Sequence, residues 1–270
     1  IAFGPSDPPL EYLMNLIAIV RDTNCAVTKQ ILDYEPSESN NWNPTKVESK
    51  EDLNTLLAQK LQVNNCIAIQ GPPGTGKTYR MAALSAELLR QGKSVLVTAL
   101  TNQALIELVK KKDLKDFLDA QKVTKTSLTV DESKELPKLQ PNKKNLCNAA
   151  PGYLSLATFY LSSAWAKDAI EIPFDYVIMD EASQALYPMI AASVKLGNKI
   201  IWIGDQNQLP PIVLTGDDVI NRYDWGGIVK GFNTLCTNFS YPSYMLKDTF
   251  RLTERGAACT GIFYNNDLNS

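Results

Sequence analysis

The chain of 270 residues is 44% hydrophobic, enough apolar material for one large or two modest cores. Its 27 Lys and Arg against 29 Asp and Glu leave a formal net charge of −2, so no bulk positive field draws in nucleic acid or an anionic membrane, and any polyanion must be bound locally. Histidine is absent, which excludes His-based triads, proton relays and imidazole metal sites and leaves general-base chemistry to carboxylates.

The five cysteines, Cys25, Cys66, Cys147, Cys236 and Cys259, form no Cys-x-x-Cys pair. Reduced thiols in an intracellular, cytoplasmic protein are expected. Residues 1–9 lack the basic start and long apolar stretch of a secretory signal. The apolar stretch 13–20 is bounded by Glu11, Arg21 and Asp22, short of the roughly 20 residues a bilayer span needs, so no membrane partner is expected.

In chain order, helical spacing predicts a first helix over 10–22, followed by a Ser, Asn and Pro-rich linker at 33–49 and a boundary near Ser49. Residues 1–49 thus read as an N-terminal helix with a polar linker. A helical stretch at 51–61 opens the main domain, expected over 50–245. Apolar runs at 66–69, 94–99, 176–179 and 199–203 suit strands of a parallel sheet covered on both faces. Helices are predicted between them at 78–91, 102–112 and 184–196, with Gly or Lys at their ends. The fold class is α/β. Residues 110–144 carry ten basic and six acidic side chains; a polar insertion near 113–150 reads as a solvated segment before it reads as a nucleic-acid contact.

Gly71-Pro72-Pro73-Gly74-Thr75-Gly76-Lys77-Thr78 fits G-x-x-x-x-G-K-[ST], directly after one predicted strand and directly before a helix. The glycines let backbone N–H groups turn inward around phosphate oxygens, and the helix N-terminus adds its positive end. Lys77 then reaches the β and γ phosphates, and the Thr78 hydroxyl can hold Mg²⁺.

The strand at 176–179 runs into Asp180 and Glu181, which places two carboxylates at the carboxyl end of the sheet, where open parallel sheets bind ligands. Strand alternation would aim them differently. Asp180 suits Mg²⁺ beside Thr78, and Glu181 is free to orient or deprotonate an attacking water. Alone, the pair would read equally as an acidic helix cap. The next strand empties into Gly204-Asp205-Gln206-Asn207-Gln208-Leu209-Pro210-Pro211. There Gln208 suits sensing a γ phosphate, while Asp205 and Gln206 could simply close a turn.

In this order the segments resemble superfamily 1 helicases, in the branch of the nonsense-mediated-decay RNA helicase and its DNA-acting relatives. Residues 71–78 look like motif I, 94–102 like motif Ia, 180–184 like motif II and 204–211 like motif III. Residues 157–159 resemble the short threonine motif, and 246–252 with 261–264 resemble motif IV. The resemblance covers about residues 52–268 and implies a RecA-like P-loop NTPase that couples ATP and Mg²⁺ to single-stranded DNA or RNA. It implies that Phe250 stacks on adenine, that Arg251 is an arginine finger, and that Thr98, Thr101, Asn102 and Thr158 touch the sugar-phosphate chain. A core Phe with a surface Arg, and threonines that cap helices, remain the plain alternatives.

Asn54 stands where the family has an adenine-reading glutamine, with Gln59 and Gln62 closer to the loop. Nothing after Arg255 matches motifs V and VI. The expectation is therefore a first motor domain whose residues 246–270 begin a second RecA-like domain, the remainder of which would come from the parent protein. A P-loop switch that acts on a protein partner without translocating shares the same phosphate machinery and is the other reading.

Overall fold

Two strands of the sheet, Cys66–Gln70 and Val95–Ala99, are buried at every position and mostly apolar, because a strand covered by helices on both sides has little room for polar side chains. The computed structural model describes residues 10–22, 24–33, 42–48, 53–142, 147–213 and 215–270; most of the expected linker at 33–49 lies outside them. In chain order the framework is α1 (Leu10–Arg21), α2 (Ala26–Leu32), β1 (Thr45–Val47), α3 (Leu53–Val63), β2 (Cys66–Gln70), α4 (Lys77–Arg90), β3 (Val95–Ala99) and α5 (Asn102–Val109). It continues with α6 (Lys115–Asp119), β4 (Val123–Lys125), α7 (Val130–Glu135), β5 (Gln140–Pro141), β6 (Leu154–Thr158), α8 (Phe159–Asp168), β7 (Phe174–Met179), α9 (Tyr187–Ser193), β8 (Gly197–Gly204) and, after further short helices, β9 (Ser243–Leu246).

Among the described residues nine strands form one sheet in the order β1-β9-β2-β8-β7-β3-β6-β4-β5, and the pairings are parallel. The predicted α/β architecture is thus present. Side chains alternate between two cores: Ile67, Ile69, Val97 and Ile201 face α3, α4 and α5, while Ala68, Leu96, Ile200 and Trp202 face α1, α8 and α9. Because the strands are parallel, the loops after β2, β3, β6, β7 and β8 all emerge at one edge.

Two predicted helices end differently. Residues 102–112 give α5 as far as Val109 and then a 3-10 turn at Lys112–Leu114. Residues 184–196 do not form one helix: a 3-10 turn at Ala182–Gln184 is followed by extended backbone at Ala185 and Leu186, and α9 begins at Tyr187 with Pro188 in its first turn. Proline fits that position and restarts the helix there.

The polar insertion is built into the sheet. β4 and β5 extend it beyond β6, and Leu114, Val123, Leu136 and Leu139 are buried in the core. Several of its charges form ion pairs. Lys110 pairs with Glu107 and Glu135, Asp119 pairs with Lys115 and Lys138, and fully buried Lys125 meets Glu132 at 3.2 Å. β1, which precedes the boundary expected near Ser49, pairs with β9, and β9 pairs with β2. The chain after β9 folds back beside the sheet edge through a bridge between Asp248 and Asn269.

Candidate functional site

The loop between β2 and α4 is shaped by its glycines. Gly74 and Gly76 have φ of +78° and +74°, backbone that L side chains rarely adopt. The Thr75 hydroxyl donates to the Pro72 carbonyl at 2.9 Å, and the Gly71 amide donates to the Gly204 carbonyl at 2.9 Å, which ties the phosphate loop to the loop after β8. Half-buried Lys77 donates to the carbonyls of Gly71 and Pro72. Burial holds its ammonium below the usual lysine range, against the pull of Asp180 and Asp205.

β7 delivers Asp180 almost fully buried. Its amide donates to the Thr98 carbonyl at 2.8 Å, and its Oδ1 accepts from the Glu181 amide at 2.8 Å. Burial raises the Asp180 carboxyl above the usual range; the Glu181 amide and Lys77 oppose the rise. Glu181 sits at φ +53° in the left-handed region and β7 ends at Met179, so a backbone turn past the strand, rather than the expected strand alternation, separates the two carboxylates. Burial and then Asp180 raise the Glu181 carboxyl, while the Leu100 and Thr101 amides and Lys77 lower it. Its Oε2 is buried without a hydrogen-bond partner, an acceptor that a bound water or ligand would satisfy.

Lys77, Thr78, Asp180, Glu181, Gln208, Phe250 and Arg251 line one cleft of about 840 Å³, together with Pro73, Gly74, Thr75 and Gly76. The Phe250 amide donates to the Gly74 carbonyl at 2.9 Å. Phe250 is 71% exposed and its ring lies over Gly76, open to a flat partner rather than packed in a core. Gln208 donates to Asp205 Oδ2 at 3.0 Å. A polyphosphate and its cation fit this donor set: a glycine cradle, a half-buried lysine, two carboxylates and an unsatisfied buried oxygen. Among the described residues no group of three His, Cys, Asp or Glu could hold a metal. Mg²⁺ takes one or two protein oxygens and completes its shell with phosphate and water.

The four residues expected on the strand divide. Thr98 is fully buried and its hydroxyl pairs with Ser162 Oγ at 2.6 Å; it is a core residue, because every position of β3 is buried, and the expectation of a strand contact does not hold for it. Thr101 caps α5 by accepting from the Ala104 amide at 3.2 Å and is exposed, as is Asn102. Thr158 precedes α8 and is half-buried. β3 and β6 are neighbours, so these last three share an edge.

Sequence reasoning missed three supporting groups. Asp205, read as a turn residue, is buried and accepts from Gln70, Asn207, Gln208 and Tyr264. Tyr264 donates to it at 2.6 Å; burial and this carboxylate push the phenol upward, so it remains a donor through ordinary pH. Thr249 donates to the Pro73 carbonyl at 3.0 Å. No local pattern marks the last two.

Residues 53–217 match the family described as AAA domain. Over 200 residues the chain is 27% identical to the DNA replication ATP-dependent helicase/nuclease DNA2 of Saccharomyces cerevisiae, a stretch covering 68% of this chain and 12% of that protein. It is 32% identical over 154 residues to the human protein of the same description, covering 54% of this chain and 14% of that one. A solved Arterivirus nonstructural protein 10 (helicase) with DNA overlaps 76% of this chain and 41% of its own, with a TM-score of 0.47 and 14% identity. The chain therefore spans only about an eighth of the length of these curated relatives.

Proposed function

The chain belongs to the AAA-domain family, as a P-loop domain of the superfamily 1 helicase type, and from that premise we propose that it binds and hydrolyses Mg-ATP as part of a motor on single-stranded nucleic acid. The observation that carries this reading is the convergence of Lys77, Asp180 and the unsatisfied Glu181 oxygen on one glycine-cradled cleft.

The phosphate-loop amides and Lys77 hold the triphosphate. Thr78 and Asp180 would hold Mg²⁺, which would neutralise phosphate charge. Glu181 orients the attacking water and takes its proton; burial and Asp180, which raise its carboxyl, make it a stronger base than an exposed glutamate. Gln208 faces the γ phosphate, Arg251 stabilises charge developing there, and Phe250 stacks on the base. Thr101, Asn102 and Thr158 position a strand through its backbone without reading sequence.

In this reading residues 50–245 form the motor domain, residues 1–49 extend it, and residues 246–270 lead to a second RecA-like domain in the parent protein. Free thiols at its cysteines support an intracellular, cytoplasmic setting. Among the described residues no helix is long and apolar enough to cross a membrane.

Steady-state ATP turnover by the complete protein, with and without a single-stranded oligonucleotide, tests the proposal. A motor speeds up on the strand, with affinity that falls as salt rises and varies little with base sequence. Turnover indifferent to DNA and RNA strands alike would instead identify a switch that acts on a protein partner without translocating.

A further inference from the structure

The Asp205 carboxylate is a shared acceptor. It is 1% exposed, and its Oδ2 accepts both the Tyr264 hydroxyl at 2.6 Å and Gln208 Nε2 at 3.0 Å. Its Oδ1 accepts the Asn207 amide at 3.1 Å and Gln70 Nε2 at 3.4 Å. A carboxylate oxygen has two lone-pair directions, so Tyr264 and Gln208 fill Oδ2 between them. Withdrawing one donor leaves the charge to the other and strengthens the remaining bond.

The two donors come from different parts of the fold. Gln208 belongs to the loop after β8, whereas Tyr264 ends the turn Ile262–Tyr264 in the carboxyl-terminal segment. That segment touches two loops of the site: Thr249 and the Phe250 amide bond to the phosphate loop, and Asn207 Nδ2, in the loop after β8, donates to the Phe263 carbonyl at 2.7 Å.

We propose that Tyr264 is a positioning residue that links Gln208, through Asp205, to residues 262–270, so that a γ phosphate engaging Gln208 changes how firmly that segment is held. The proposal rests on the reading of Gln208 as the γ-phosphate contact. When Gln208 turns from Asp205 to the phosphate, Asp205 Oδ2 is left to Tyr264 and the segment tightens. The Tyr264 ring packs with Met245 and Leu268, so Tyr264→Phe removes the hydroxyl and keeps the packing.

The test is amide hydrogen exchange of residues 262–270 in the protein saturated with Mg-ATPγS or with Mg-ADP. Exchange in the wild type is expected to be severalfold slower with Mg-ATPγS. In Tyr264→Phe the two nucleotides should give the same, faster exchange. In Gln208→Ala, which leaves Asp205 to Tyr264 permanently, they should give the same, slower exchange. Equal exchange in the wild type, or a difference that survives in Tyr264→Phe, overturns the relay. A fluorescent-nucleotide titration separates this from failure of the underlying reading, since a wild type that binds neither nucleotide overturns both.

Discussion

Gly71 is the opening through which the Lys77 side chain passes: a Cβ on residue 71 would lie 2.2 Å from Lys77 Cδ and 2.5 Å from Cγ. The requirement is one of space, since Gly71 is not among the glycines with positive φ.

Gly71→Ala should therefore displace Lys77 and weaken ATP binding by roughly tenfold, about 1.4 kcal/mol, while the buried β2 strand keeps the fold. Titration with a fluorescent ATP analogue, alongside thermal unfolding, checks both halves.

Glu181→Gln should keep nucleotide affinity near that of the wild type and lower turnover in the complete protein by about 10² to 10⁴, the usual scale for removing a general base. Turnover at the wild-type rate would reject Glu181 as the group that activates water.

Both carboxyls of the pair titrate above their usual values in the folded chain. The folded state thus holds these protons more tightly than the unfolded one, and the stability penalty is present at high pH and relieved as pH falls through the raised values. The nucleotide-free double variant Asp180→Asn, Glu181→Gln should melt above the wild type at pH 8, with the gap narrowing as pH falls through the raised values. A gap independent of pH would show that neither carboxyl is raised.

Thr98→Val should cost about 1 kcal/mol of stability through the lost Ser162 hydrogen bond and leave strand affinity unchanged. Thr101→Ala and Asn102→Ala should instead weaken strand binding in the complete protein. Filter binding against salt, with urea unfolding of the same variants, separates the two effects.

The phosphate loop and the acidic pair are legible in the sequence because their information is local: glycine spacing between an apolar run and a helix marks the first, and two carboxylates directly after an apolar run mark the second. Thr98 was legible too, since a hydroxyl inside a run buried on both faces belongs to the core; its place in a resemblance pointed the other way. β4 and β5 were hidden because the apolar anchors Val123, Leu136 and Leu139 are spaced among lysines, some of which find their acidic partners only in three dimensions. The helix predicted over 184–196 failed where Glu181 turns left-handed and Pro188 restarts the chain. The bond from Tyr264 to Asp205 spans 59 positions, and no periodicity reaches that far.

Calorimetric titration of Mg-ATPγS into the wild type and into Lys77→Ala tests most directly whether a triphosphate sits in this cleft. Saturable one-to-one binding that disappears in the variant is the predicted result. Binding of equal strength to both proteins would contradict the account.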